Sequence, residues 1–352
     1  MTMLARLLTV VVSTALALPS GALAQAFQSV DPPDAAYTLA LGVRNGTVVG
    51  LYQDLQAQFH GFELTRRGSY ASFDAPGADP QFGTYAIGLD IHGNIVGYFY
   101  DTGTSSHGFV RLRNGMIITF DARGANAAGT LVAAVNRVGT LVGTYLDAGG
   151  AMHGFARSTD GEQWHIDVPG AQMTQPTWIN DKGVIVGKFA DQTGTLHGFV
   201  HEANAPEDFQ TFDAAVGCFL DVYYPVYLND HGDIATTCLT DSGTSAHGYL
   251  RMRTGQVTRI DYPGNMNTAV NGITRTGDVV GGYLDSHGVN HGFVRSPNGT
   301  FTTYDFPGAS VTTPFSSDAA GDIVGTYQVL YGPLHGFVRR GRASSCPECE
   351  AE

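Results

Sequence analysis

Histidines placed among aspartates are the residues here with the most chemical capacity, and they recur. His60, His107, His153, His197, His247, His291 and His335 each open a His-Gly-Phe or His-Gly-Tyr triplet, at gaps of 47, 46, 44, 50, 44 and 44 residues. Six residues before six of them stands an acid: Asp54, Asp101, Asp147, Asp191, Asp241 and Asp285. A second acid follows at Asp74, Asp121, Asp167, Asp213, Asp261 and Asp305, and Asp31 precedes the first triplet. An imidazole with two carboxylates can hold a divalent cation or carry out acid–base work. The regularity argues for a different duty. A feature present in every repeat serves what every repeat needs, whereas a catalytic set would occur once. The expected role of these side chains is a polar network that fixes loops.

The elements that position them are short. In one complete unit, Thr177–Asn180 is an apolar run, Asp181-Lys182-Gly183 a turn and Val184–Phe189 a second run that leads to Asp191. A polar loop precedes a third run at His197–Val200, and Phe209–Asp213 is the fourth. Four such runs joined by glycine-bearing turns predict one antiparallel four-stranded sheet. The first-turn glycine recurs at Gly46, Gly93, Gly139, Gly183, Gly232, Gly277 and Gly321. No segment carries a sustained helical period. A lone sheet of this size cannot bury both faces, but seven packed radially can, and the ring protects their edges. The period fits a propeller blade better than the shorter coil of a parallel β-helix. The predicted fold is all-β: a seven-bladed β-propeller of four-stranded antiparallel blades.

The chain ends support a closed ring. The seventh unit stops after its third run at Arg339, while Phe27–Pro32 precedes the first unit and matches the fourth-run endings at Ile260–Pro263 and Tyr304–Pro307. The N-terminal strand is therefore expected to complete the last blade. The second run carries a glycine at Gly50, Gly97, Gly143, Gly187, Gly281 and Gly325. Glycine inside a strand signals close approach. Blade-to-blade stacking is the expected reason, with the triplet Phe or Tyr filling the space between sheets.

Composition bounds the setting. The 352 residues carry a net charge of −13 and 46 glycines, with only 14% charged residues. An acidic chain repels phosphate backbones, so nucleic acid is not expected as a partner. Residues 1–24 read as a signal peptide: Arg6, an apolar run from Leu7 to Leu18 too short to span a bilayer, and a small-residue site at Ala22-Leu23-Ala24. Residues 25–341 then form the propeller and 342–352 an acidic, cysteine-containing tail. The expectation is a secreted or periplasmic monomer with no membrane span. Export permits disulfides. Cys218 and Cys238 fall at neighbouring strand ends of the fifth unit, and Cys346 and Cys349 in the tail are read as a small disulfide loop.

At the repeated residues the chain resembles a bacterial family of probable extracellular repeats, the HAF repeat. The resemblance runs through Asn136, Gly139-Thr140-Leu141-Val142-Gly143-Thr144-Tyr145, Asp147, His153-Gly154-Phe155 and Asp167-Val168-Pro169-Gly170-Ala171. It covers nearly all of the predicted mature chain and implies an exported protein, without an activity or catalytic residues to carry over. The fifth unit departs most: Asp213-Ala214-Ala215-Val216-Gly217 leads into it without the proline, and Ile234-Ala235-Thr236 lacks the second-run glycine. The seventh unit has Val329 near the place of the second-run acid.

Departures from a repeat are where function is sought. Near the end of the first run, Leu41, Gly88, Ala134, Gly272 and Ser316 are small or aliphatic, but Trp178 and Tyr227 stand in units four and five. The longer loop entering unit five carries Asp221, Tyr223 and Tyr224. Grouped aromatics with an acid suit a carbohydrate or small-ligand platform. Interblade packing is the rival reading. No nucleophile elbow, phosphate loop or zinc-protease motif is present. The expected function is a non-enzymatic binding or scaffold module for an extracellular glycan, cell-surface or protein partner. The alternatives are a polysaccharide hydrolase or lyase with acids around the central channel, and a divalent-cation-binding propeller. No cofactor is expected beyond calcium in that last reading.

Overall fold

The structure, a computed structural model, describes residues 27–126, 129–202, 208–213, 218–240, 243, 245–265, 267–318 and 320–341. Among them lie seven antiparallel sheets. Blades 1 to 6 span 35–73, 84–120, 130–166, 173–212, 219–260 and 268–304. Blade 7 spans 311–339 and takes Phe27–Val30 as its outer strand, paired antiparallel with Leu334–Arg339. First strands contact one another around the ring, and that of blade 7 contacts that of blade 1. Phe27 seats the closing strand, its ring 5.6–6.1 Å from those of Tyr304, Phe306 and Phe337.

Hydrophobic clusters form where blades meet. Val324 and Val338 of blade 7, for example, pack with Ala40, Val48 and Phe62 of blade 1. The triplet rings Phe62, Phe109, Phe155, Phe199, Phe293 and Phe337 are among the largest fully buried side chains. They fill interblade space as expected.

The second-strand glycine has a reason inside its own blade, which corrects the stacking expectation. In six blades the first strand carries a bulge, as between Ala40 and Gly42 or Ala86 and Gly88. A Cβ on Gly50 would stand 1.9 Å from the Leu39 carbonyl oxygen and 2.9 Å from the Phe62 ring. At Gly97 the clash is 1.8 Å, with Tyr85 O. Blade 5 has Thr236 in this position, and there Val226–Leu228 pairs with Ile234–Thr236 without a shift. Glycine and bulge are present together or absent together. The register also places Gly42, rather than Leu41, in line with Trp178 and Tyr227.

Five crossings between blades reuse one hydrogen bond. First-strand Thr84, Thr130, Thr174, Thr268 and Thr312 accept from the N–H groups of Ala75, Ala122, Val168, Tyr262 and Phe306 at 2.9–3.1 Å. At the seventh crossing the donor position is Pro32, which has no N–H. Thr38 Oγ1 is accordingly buried without a partner.

Candidate functional site

The second-to-third and fourth-to-first connections share one face of the ring, the loop face, and the histidines lie there. In blade 1, His60 Nδ1 is 3.0 Å from the Asp74 carboxylate and Nε2 is 3.4 Å from Asp54 Oδ2. Blades 2, 3, 4 and 6 repeat this. Nδ1 meets Asp121, Asp167, Asp213 and Asp305 at 2.6–3.1 Å. Nε2 meets Asp101, Asp147, Asp191 and Asp285 at 3.4–3.5 Å.

Each second-strand acid also ties its own loop. Asp54 Oδ1 accepts from the N–H groups of Gln56 and Gln58, and Asp101 Oδ1 from those of Gly103 and Ser105, all at 2.8 Å. Loop N–H groups hold Asp54, Asp101 and Asp147 below the usual carboxylate range. Asp191 lies at about 2, chiefly through the Thr193 hydroxyl, and Asp285 at about 2, chiefly through the Val289 N–H. His197 is raised by its bond to Asp213. In His60 and His291 burial works downward, and the bonds to Asp74 and Asp305 outweigh it.

A ring from the second strand packs on each of these histidines. Tyr52, Phe99, Tyr145, Phe189, Tyr283 and Tyr327 lie 5.1–5.3 Å from His60, His107, His153, His197, His291 and His335. Where the ring is tyrosine, its hydroxyl meets a fourth-strand side chain. The pairs are Tyr52–Ser72, Tyr145–His165, Tyr283–Thr303 and Tyr327–Ser29, at 2.8–3.5 Å. Phenylalanine in blade 4 leaves Thr211 without that bond, and a depression of about 480 Å³ lies among Phe189, Asp191, His197, Thr211, Phe212 and Asp213. His335 pairs with Asp31 at 3.2 Å. Among the described residues, no three His, Cys, Asp or Glu side chains are grouped to hold a metal ion.

Blade 5 is built differently. Cys238 stands opposite His247 where other blades place the ring. It is joined to Cys218, with Cα atoms 5.7 Å apart. Arg259 covers the histidine instead: its Nη2 is 2.7 Å from His247 Nδ1, and its Nε donates to Asp261 Oδ2 at 2.5 Å. The first strand is broken into Phe219–Leu220 and Val226–Leu228, and residues 221–225 leave the sheet between them. Lys188 of blade 4 is fully buried beneath this loop and donates to the carbonyls of Asp221 and Tyr224 at 2.5 and 2.8 Å. Burial draws its pKa down to about 8. Asp241, residues 1–24, where a signal peptide is expected, and Cys346 with Cys349 lie outside the described residues.

The five proposed ligand residues do not form one group. Tyr223 is 86% exposed on the loop face, with Asp221 and Tyr224 beside it partly buried. Trp178 and Tyr227 meet edge to face at 5.4 Å, at the opposite end of the first strands. There Tyr227 is buried and Trp178 packs against three hydrophobic clusters.

A second aromatic group was missed. Tyr85 and Tyr98 stack at 4.8 Å, and Tyr100 meets both edge-on at 6.0 and 5.8 Å. Phe82 lies 6.1 Å from Tyr100; a separate pair, Tyr37 and Phe59, both in blade 1, lies 6.4 Å apart. Aligning the seven first strands by register would have revealed it. The residues in line with Tyr85 are Leu39, Leu131, Gln175, Ala269 and Thr313, and those in line with Tyr98 are Leu51, Thr144, Lys188, Gly282 and Thr326.

No protein-family model matches the chain, and no curated protein matches its sequence. Solved structures do. The β-propeller domain of the Trilobed protease from Pyrococcus furiosus is similar at 11% identity and TM-score 0.62, covering 88% of this chain and 96% of that one. A prolyl endopeptidase matches at 11% identity and TM-score 0.57 over 87% of this chain, and puromycin hydrolase at 13% and 0.55 over 86%. The chain spans 48% and 52% of those two. At such identities the likeness is one of architecture: this chain folds as a β-propeller.

Proposed function

We propose that the chain is an exported binding module that presents its loop face to an extracellular glycan or cell-surface partner and does not turn it over. One observation carries this reading. The five most exposed large apolar side chains are Tyr331, Tyr223, Leu330, Leu55 and Phe219. Four sit in loop-face connections and Phe219 at the loop-face end of blade 5's broken first strand, in segments that differ from blade to blade. Scattered apolar residues need no explanation, but their collection on one face marks a contact surface.

The acids on that face support binding over hydrolysis. They belong to second and fourth strands and are engaged by histidines and loop N–H groups, away from the first strands that ring the channel. A glycosidase needs one carboxyl kept protonated. Asp54, Asp101, Asp147, Asp191 and Asp285 are all shifted the other way.

The experiment is a glycan and cell-envelope array read for both retention and product. Retention without release is expected. The double variant Tyr223→Ser/Tyr331→Ser should weaken it, while Val138→Ser on the opposite face should not. New reducing ends or unsaturated products would overturn the reading in favour of a hydrolase or lyase.

A further inference from the structure

The aromatic group of blade 2 and its entry loop belongs to no repeated device. Tyr85 and Tyr98 occupy positions that are leucine, threonine, glutamine, lysine, alanine or glycine elsewhere in the ring. The fold therefore does not require rings there. We propose that Tyr85, Tyr98, Tyr100 and Phe82 form a binding site for a neutral glycan chain, with sugar faces packed on the rings and sugar hydroxyls on the phenols. This deepens the binding reading above and rests on it.

Three features support the site. It is held in place: Phe59 N–H donates to Pro80 O at 2.7 Å, Asp79 N–H to Tyr100 O at 2.7 Å and Tyr100 N–H to Gly83 O at 3.3 Å, so the loop that carries Phe82 is pinned to both blades. Preorganised rings lose little freedom on binding. Its hydroxyls are also open. None of those of Tyr85, Tyr98 and Tyr100 has a hydrogen-bond partner among the described residues, and none is a buried unpaired atom, so each reaches solvent. The rings carry no charge, and Asp79 and Asp101 adjoin them in a chain of net charge −13, which disfavours anionic ligands.

The hydrogen-bonding character selects sugar over a proline-rich peptide, which also docks on aromatic grooves. A polyproline segment offers carbonyl acceptors only. Sugar hydroxyls both donate and accept, as do phenols and the exposed amide of Gln81 that neighbours Phe82.

The test is titration calorimetry of the whole protein with neutral cello-, xylo-, manno-, malto-, laminari- and chito-oligosaccharides and with a decaproline peptide. Tyr85→Ala and Phe82→Ala should each weaken glycan binding about tenfold or more at unchanged melting temperature. Tyr98→Phe keeps the buried ring and should weaken binding about threefold by loss of one hydroxyl. Glycan binding that all three variants retain would overturn this site while leaving the binding module standing. Decaproline binding lost in Tyr85→Ala would overturn the ligand class. If no neutral glycan binds the wild-type protein, the proposal fails outright, and the array above then decides the broader reading.

Discussion

Blade 5 and the other six meet one demand with different chemistry. Each blade must fix the loop between its second and third strands and the end of its fourth. Six place a histidine on an aromatic ring, and where both acids are described the imidazole bridges them. In blade 5 a disulfide occupies the ring position and a guanidinium covers the imidazole. His247 itself is kept, with Nδ1 2.8 Å from Asp261, so the exchange changes what packs on the imidazole and leaves the imidazole in place. The exchange also has a local effect. With the bulge gone and the first strand broken, residues 221–225 rise from the sheet over Lys188 and carry Tyr223 into solvent.

The comparison breaks most sharply at the covalent bond. Replacing both cysteines, Cys218→Ser with Cys238→Ser, should cost about 3 kcal/mol in urea unfolding, since the bond closes a loop of 20 residues. A cost near zero would mean that Arg259 alone does the work of the ring. Next comes Lys188→Ala, which strands two buried carbonyls and leaves a cavity; about 2–3 kcal/mol is expected. The pH dependence of this residue is diagnostic. The folded ammonium loses its proton near 8 and the unfolded one near 10.5, so the unfolded chain binds more protons between them and stability rises with pH in that window. Lys188→Met should lack this rise.

The histidines predict the opposite slope. With folded pKa values raised above 6.5, His60, His197 and His291 contribute stability that is complete below that value and fades as pH climbs through the folded pKa. The depressed acids contribute above about 3.8 and fade toward 2. Melting temperature should therefore peak between about pH 4 and 6.5, and a triple His→Gln variant at 60, 197 and 291 should flatten its neutral limb. The smallest effect sharpens the rule within regular blades. Phe189→Tyr supplies the hydroxyl that Thr211 lacks and should stabilise by about 0.5–1 kcal/mol, read as a small shift in urea midpoint.

The ring was legible because its determinants repeat. A triplet at a fixed period, a turn glycine and an orphan strand at Phe27 suffice to predict seven blades and their closure. The Cys218–Cys238 bond was legible from topology, since both residues lie at neighbouring strand ends. The strand glycines were noticed but misread, because a bulge carbonyl 1.9 Å from a hypothetical Cβ leaves no mark in one sequence. Lys188 was invisible for a related reason: a lysine in a strand reads as solvated until the loop that caps it is placed. The tyrosines of blade 2 were hidden by their neighbours. Phe99, a repeated ring, sits between Tyr98 and Tyr100, and only strand alternation sends it to another face.

The closing strand has a consequence for how this molecule comes to exist. Asp31 and His335 lie 304 residues apart yet are bonded across a single sheet. Among the strands of the ring, synthesis delivers Phe27–Val30 before all others and its partner Leu334–Arg339 after them. Until the final hairpin emerges, the earliest segment has nowhere to dock and the seventh sheet has a raw edge open to other chains. Docking must then offset the entropy of closing a loop nearly as long as the molecule. Assembly should thus end in a slow step whose rate depends on these four residues, and crowding at that moment is when this protein is most prone to aggregate.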